Sequence, residues 1–271
     1  MRSNQLSLVM AFIITLALSA ILSVGAVDFL EERLFDTSAW TGWVLFVGFI
    51  ALASLNLRKR LAGLPIISVR FWLRFHIIAS SILFGVFWAH AGFWPMGFYE
   101  QILTALIYVL FVGGFVGLVL QKVLPVRLNQ IGLEVVYEEI PTRIHSIQKE
   151  ITNYVRSVVI KNPNSVLSDH YFEVLAPFLS GPSNFWAHLI GGNAPKRWRM
   201  NKAASIDKYL DAQDQDDYEK ILLLIDQKIS LDSAYAHQSI MKYWLFFHVP
   251  LSAVTILLIF WHVFVVHLYV I

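Results

Sequence analysis

Four histidines recur at one spacing in parts of the chain that are otherwise apolar. His76 and His90 bound the stretch FHIIASSILFGVFWAH, and His248 and His262 fall in FHVPLSAVTILLIFWH. Both pairs are separated by fourteen residues. An α-helix turns 100° per residue, so fourteen residues make four turns less about 40° and rise about 21 Å. Each pair therefore lies on one helix face at two depths. Imidazole is a nitrogen ligand for transition metals, and ionisable groups inside a membrane span mark functional sites. The competing reading of any single membrane histidine is an interfacial or helix–helix hydrogen-bonding group.

The elements that must position these rings can be read from charge. Of 271 residues, 57% are hydrophobic and 15% charged, against about 25% charged in a soluble domain. Residues 3–27, 37–57, 75–99, 101–121 and 243–271 contain no Asp, Glu, Lys or Arg. Each is long enough, at about 20 residues, for a helix to cross roughly 30 Å of hydrocarbon. The expectation is an all-α integral membrane protein with spans near 7–28, 39–57, 72–94, 99–121 and 243–271. Residues 121–242 form a polar insert between spans four and five. The first apolar run, SLVMAFIITLALSAILSVGAV, exceeds the 7–15 residues of a usual signal core and is read as a retained helix.

Residues 56–74 carry Arg58, Lys59, Arg60, Arg70 and Arg74 and no acid, whereas the loop after span one carries Asp28, Glu31, Glu32 and Asp36 against Arg33. The loop after span three has only Glu100, and the insert begins with Lys122 and Arg127. The positive-inside rule then puts the N-terminus, residues 57–74 and the insert in the cytoplasm, and the C-terminus outside. In a bacterial inner membrane, outside is the periplasm. Spans three and five run in the same direction, so His76 can face His248 near the cytoplasm and His90 can face His262 near the outer side. Two imidazoles facing across a bundle suit one iron with two axial ligands, and two such levels suit two stacked haems. Zinc instead gathers tetrahedral ligands at one point, and no carboxylate lies within these spans.

Two histidine pairs spaced by fourteen on parallel helices resemble the di-haem four-helix core of the cytochrome b of quinol–cytochrome c reductases. A similar bundle occurs in ferric reductases and NADPH oxidases. The resemblance implies two non-covalent, bis-histidine b-type haems, the inner held by His76 with His248 and the outer by His90 with His262. This chain lacks the P-E-W-Y-like stretch of the quinol-oxidising cytochromes and has no Gly-rich dinucleotide fingerprint. Electrons would therefore come from a small diffusible quinol or a separate subunit, with quinone a further candidate cofactor. With no cysteine, the chain has no disulfide, thiolate zinc site, cysteine-ligated cluster or covalent haem attachment.

Haem needs room between helices and cations near its propionates. Small residues give room, and Gly85 in span three and Gly113, Gly114 and Gly117 in span four are candidates, with ordinary helix packing as the alternative. Arg70 and Arg74 lie one to two turns to the cytoplasmic side of His76. They could pair with propionates, although snorkelling to lipid phosphate is the favoured reading. Pro250, two residues after His248, frees the carbonyl of Phe246 and could aim the ring. His267 points about 140° from the ligand face and reads as interfacial. Trp88, Trp94, Trp244 and Trp261 suit the membrane boundary or haem packing.

The insert has fourteen basic and fourteen acidic residues. It reads as mostly helical: a first helix from Pro141 to Ile160 with Ile144, Ile147, Ile151, Val155, Val158 and Val159 at helical spacing. A second begins at Ser165, and a long helix from Tyr218 to Trp244 continues towards span five. GPSNFWAHLIGGNAPKRWRM reads as loop with a short helical turn. His145, His170, His188 and His237 read as surface histidines. Lys196, Arg197 and Arg199 with Trp198 read as a solvated loop, with docking to lipid headgroups or an acidic partner as the alternative. The insert would cover the inner haem or hold another subunit. The expected function is an electron-transfer subunit linking a quinone pool or cytoplasmic-side donor to an outer redox partner, such as a c-type cytochrome or iron–sulfur protein. A transmembrane reductase fed by a separate flavoprotein is the runner-up. A metal or haem transporter, or a scaffold subunit, is the alternative of another class. The net charge of +2 gives no reason to expect nucleic acid.

Overall fold

The computed structural model describes residues 3–32, 37–57, 69–132, 134–163, 165–210 and 212–269. The described residues are helical, with no strand among them. The chain divides into two compact units, Met1–Val119 with Trp244–Ile271, and Leu120–Tyr243. The first unit contains α1 (Ser3–Glu31), α2 (Ser38–Leu57), α3 (Val69–Ala91), the start of α4 (Phe98–Ile131) and the end of α10 (Ala212–Tyr269). The basic segment 58–68 lies outside the described residues.

Among the described residues, four helices are long and apolar enough to cross a membrane, within Phe12–Leu30, Phe71–Ala91, Phe98–Ile131 and Asp214–Tyr269. The apolar stretch Ser38–Ser54 belongs to α2, whose 20 residues make a helix of roughly 30 Å.

Within this unit α3 is the hub, because small residues let two neighbours approach it. The Ser19 hydroxyl of α1 donates to the Ser81 carbonyl of α3 at 2.9 Å. One turn on, a Cβ at Gly85 would lie 2.6 Å from the Ser19 backbone. Ser81 and Gly85 thus form a small-residue seam of the kind that joins helices in lipid. On the other side, a Cβ at Gly48 of α2 would fall 2.3 Å from a Leu83 methyl. Phe84 stacks on Phe111 of α4 with centroids 3.8 Å apart, and Phe12 of α1 stacks on the same ring at 5.5 Å. Leu45, Leu83, Phe84, Phe87, Ile107 and Ile259 form the apolar core.

The second unit holds the end of α4, α5 (Ile140–Lys161), α6 (Leu167–His170), a π-helical turn over Tyr171–Leu175, α7 (Ala176–Leu179), α8 (Phe185–Ile190), α9 (Ala194–Asn201), a 3-10 turn over Ala203–Tyr209, and the start of α10. The expected stripe of α5 is buried at Ile144, Ile147, Ile151, Val155 and Val158, with Val159 partly buried against the same core. Two expectations are corrected. The stretch 181–200 is not loop-like, because Gly191 in the left-handed conformation (φ 75°) closes α8. Its N–H bonds His188 and that of Gly192 bonds Ala187, a Schellman closure, and Pro195 in its first turn starts α9. His170, His188 and His237 are buried rather than on the surface. Each lies on the core side of its helix, and two have carbonyl partners: His170 at Ala203 (3.1 Å) and His237 at Ser233 (2.7 Å). His145 is exposed, as expected.

This core encloses an ion pair, in which Asp232 Oδ1 alone is left without a hydrogen-bond partner. Lys228 Nζ donates to Asp232 at 2.7 Å and to Ser183 at 3.0 Å, and its third side faces the Phe178 ring at 3.7 Å. Both charged side chains are fully buried. Burial pushes the Asp232 carboxyl up to about 6, although Lys228 and Ser183 pull it the other way. Breaking a buried pair leaves an uncompensated charge, whereas replacing both partners by apolar groups often costs nothing. Asp232→Ala is therefore expected to destabilise the unit by about 3–5 kcal/mol, and the double variant K228M/D232L to cost far less. Thermal melts of the full chain in detergent read both.

Candidate functional site

The four histidines occupy two levels of the first unit. His76 lies within electrostatic reach of His248, and His90 within reach of His262. Only parallel helices can make both pairings at once. α1 and α2 each run backbone-close along α3, whereas among the described residues α3 and α10 make no comparable close run. The imidazoles therefore face one another across a wider gap than the small-residue seams leave.

At the first level, α4 builds a seat for α10. Trp244 stacks on His248, one turn away, with centroids 5.1 Å apart and planes at 18°. Its indole N–H donates to the Gly113 carbonyl at 2.7 Å. A Cβ at Gly117 would lie 2.0 Å from that indole, and one at Gly113 would lie 3.5 Å from His248 Nδ1. Gly114 faces Cε1 of the same ring at 4.0 Å. The glycines of FVGGFVG thus position the Trp244–His248 pair. His76 lies beside the Leu52 carbonyl of α2. Nδ1 of His76 and Nδ1 of His248 are buried with no hydrogen-bond partner.

At the second level, Thr41 of α2 meets His90 Nδ1 at 2.9 Å. The Thr41 hydroxyl already donates to the Thr37 carbonyl at 2.8 Å, so its oxygen accepts from His90 Nδ1–H. That leaves Nε2 as the lone-pair nitrogen, the arrangement a ligating imidazole requires. Gly42 lies under the same ring, where a Cβ would fall 3.2 Å from Cε1. His262 stacks on Tyr99 of α4 at 6.2 Å and 11°, and Tyr99 donates to the Leu258 carbonyl one turn before His262. Glu100 is within electrostatic reach of His262.

Other expected residues fall elsewhere. Gly85 faces α1 and serves helix packing there. Arg74 is exposed, and the side chain of Arg70 lies outside the described residues. His267 packs edge-on against Trp43 at 5.4 Å. Thr41, Gly42, Leu52 and Tyr99 were not singled out from sequence. Thr41 and Leu52 are eleven residues apart, three turns plus about 20°, so one face of α2 serves both levels. That spacing was the available signal, and it has meaning only once α2 is known to pack against α3.

Chemically, each level offers two imidazoles. Among the described residues no three His, Asp or Glu side chains converge to hold a bare ion. Such a donor set suits a metal that already carries its other ligands in a flat macrocycle. Comparison with known proteins gives no match to any family model, curated protein or solved structure.

Losing the Thr41 hydroxyl would take an acceptor from the half-buried His90 N–H and leave it only the Ser38 carbonyl. Thr41→Val, close in shape, is expected to destabilise the first unit by about 1–3 kcal/mol. Thr41→Ser, which keeps the hydroxyl, is expected to restore most of that stability in detergent melts.

Proposed function

We propose that the chain is a di-haem b-type membrane cytochrome that carries electrons across the bilayer. The observation that carries this reading is the double pairing, His76 with His248 and His90 with His262, on helices held apart. Haem supplies reversible one-electron exchange at its iron when bound. His76 and His248 would ligate one haem and His90 and His262 the other. The two unpartnered Nδ1 atoms at the first level support this fit, since a buried ring nitrogen needs a polar or metal partner.

The other residues orient and exclude. Trp244, held by Gly113, fixes the plane of His248. Thr41 fixes the tautomer of His90. Phe84, Phe87, Ile107 and Ile259 keep the space between levels apolar. Arg74 is available to a propionate or to lipid phosphate. In this reading α2, a 20-residue apolar helix, also crosses the bilayer. That gives five spans, with the N-terminus and the 121–242 insert cytoplasmic and the C-terminus periplasmic in a bacterial inner membrane. The parallel course of α3 and α10 needs only α4 to cross between them. A quinone pool or a cytoplasmic-side donor would reduce one level, and an outer redox protein would oxidise the other.

A redox titration of the visible spectrum tests this. The wild-type protein is expected to show a low-spin b-type spectrum that titrates in two waves. His90→Ala and His76→Ala are each expected to leave one wave, and not the same one. Absence of the spectrum, or identical residual waves in the two variants, contradicts the proposal.

A further inference from the structure

The insert is neutral as a whole, but its charges are not evenly placed. Between Glu173 and Asp207 there is no acidic residue, and Lys196, Arg197, Arg199 and Lys202 all fall in that interval. The structure sorts this group. Arg199 is taken up by a surface ion pair with Asp226 at 3.1 Å, and Trp198 stacks on Phe178 at 3.9 Å. Arg127 of α4 caps the last turn of α8 through the Leu189 carbonyl at 2.6 Å. These contacts, with the Schellman closure at Gly191, fix α8 and α9 as a platform.

What the platform presents outward is not what water favours. On α8, His188 is buried while Trp186 (69% exposed) and Ile190 (74%), one turn apart, face out. On α9, Met200 is 68% exposed, and Lys196 and Arg197 are exposed. Lys196, Arg197 and Lys202 make no ion pair among the described residues. An exposed tryptophan and aliphatic anchor on α8, beside unpaired cations on the adjoining α9, match the interfacial layer of an anionic bilayer. Both ends of this unit continue in sequence into apolar helix, at Val119–Leu120 and Tyr243–Trp244. The tether keeps a lipid surface at high effective concentration. An acidic protein would satisfy the cations but would have no comparable tether.

We propose that the outward face of α8 and α9 docks on anionic lipid, with Trp186 and Ile190 in the headgroup layer and Lys196 and Arg197 on lipid phosphates. This inference does not depend on what the histidine pairs hold.

The absence of cysteine makes a single labelling site direct. Full-length Ile190→Cys would carry an environment-sensitive fluorophore, in discs of phosphatidylcholine alone or mixed with phosphatidylglycerol. In the anionic discs the emission is expected to shift to shorter wavelength, to be quenched by brominated lipid and to lose most of its iodide quenching. Adding K196E/R197E is expected to reverse all three changes without loss of helical circular dichroism. A label at Ile160→Cys, exposed elsewhere on the same unit (74%), is expected to stay open to iodide throughout. Equal emission and iodide quenching in both kinds of disc would overturn the proposal. So would shielding that persists in lipid-free detergent, which would assign the face to a protein contact, or indifference to K196E/R197E.

Discussion

An imidazole nitrogen inside hydrocarbon has no water to bond, so it must find a partner in the protein or in something the protein binds. Most features of the first unit answer that constraint. Thr41 serves one ring nitrogen of His90. The Leu52 carbonyl stands by His76. Tyr99 and Trp244 each cover one face of a histidine on α10. The close seams at Ser19–Ser81–Gly85 and Gly48–Leu83 hold α1 and α2 against α3. Two sides of α3 are thus closely packed, while the side towards α10 stays wider.

The second unit solves a different problem with ordinary means. It builds a core from the α5 stripe and from α6, α7 and the start of α10, and it buries one ion pair whose polar atoms are nearly all satisfied. Lys228 has an anion, a hydroxyl and an aromatic face for its three protons. Such a pair adds little net stability over an apolar core, but it punishes alternatives that break it. The cations left outside this core are those that the fold had no inward use for.

Much of this was legible in the sequence because it depends on periods within single helices. The fourteen-residue spacing, the charge-free stretches and the α5 stripe all survive without tertiary information. The pairing of His76 with His248 was also within reach, because charge asymmetry sets helix direction. What escaped depended on which helix lies beside which. Thr41 and Gly42 are unremarkable until α2 packs on His90, and Gly85 looks like room for a cofactor until α1 fills it. His170, His188 and His237 read as surface groups because histidine is tolerated on either side, and only their carbonyl partners and neighbours decide. Trp198 and Arg199 read as part of one exposed cluster, but Phe178 draws Trp198 onto the core and Asp226 pairs with Arg199 at the surface.

Two ligand levels in one chain would hold two haems. The most direct measurement is the haem-to-polypeptide ratio of the protein purified without added haem, from haem extraction and quantitative amino-acid analysis of the same sample. Two non-covalently held haems per chain is the predicted result. A ratio of one or less, in protein shown to be folded, would contradict it.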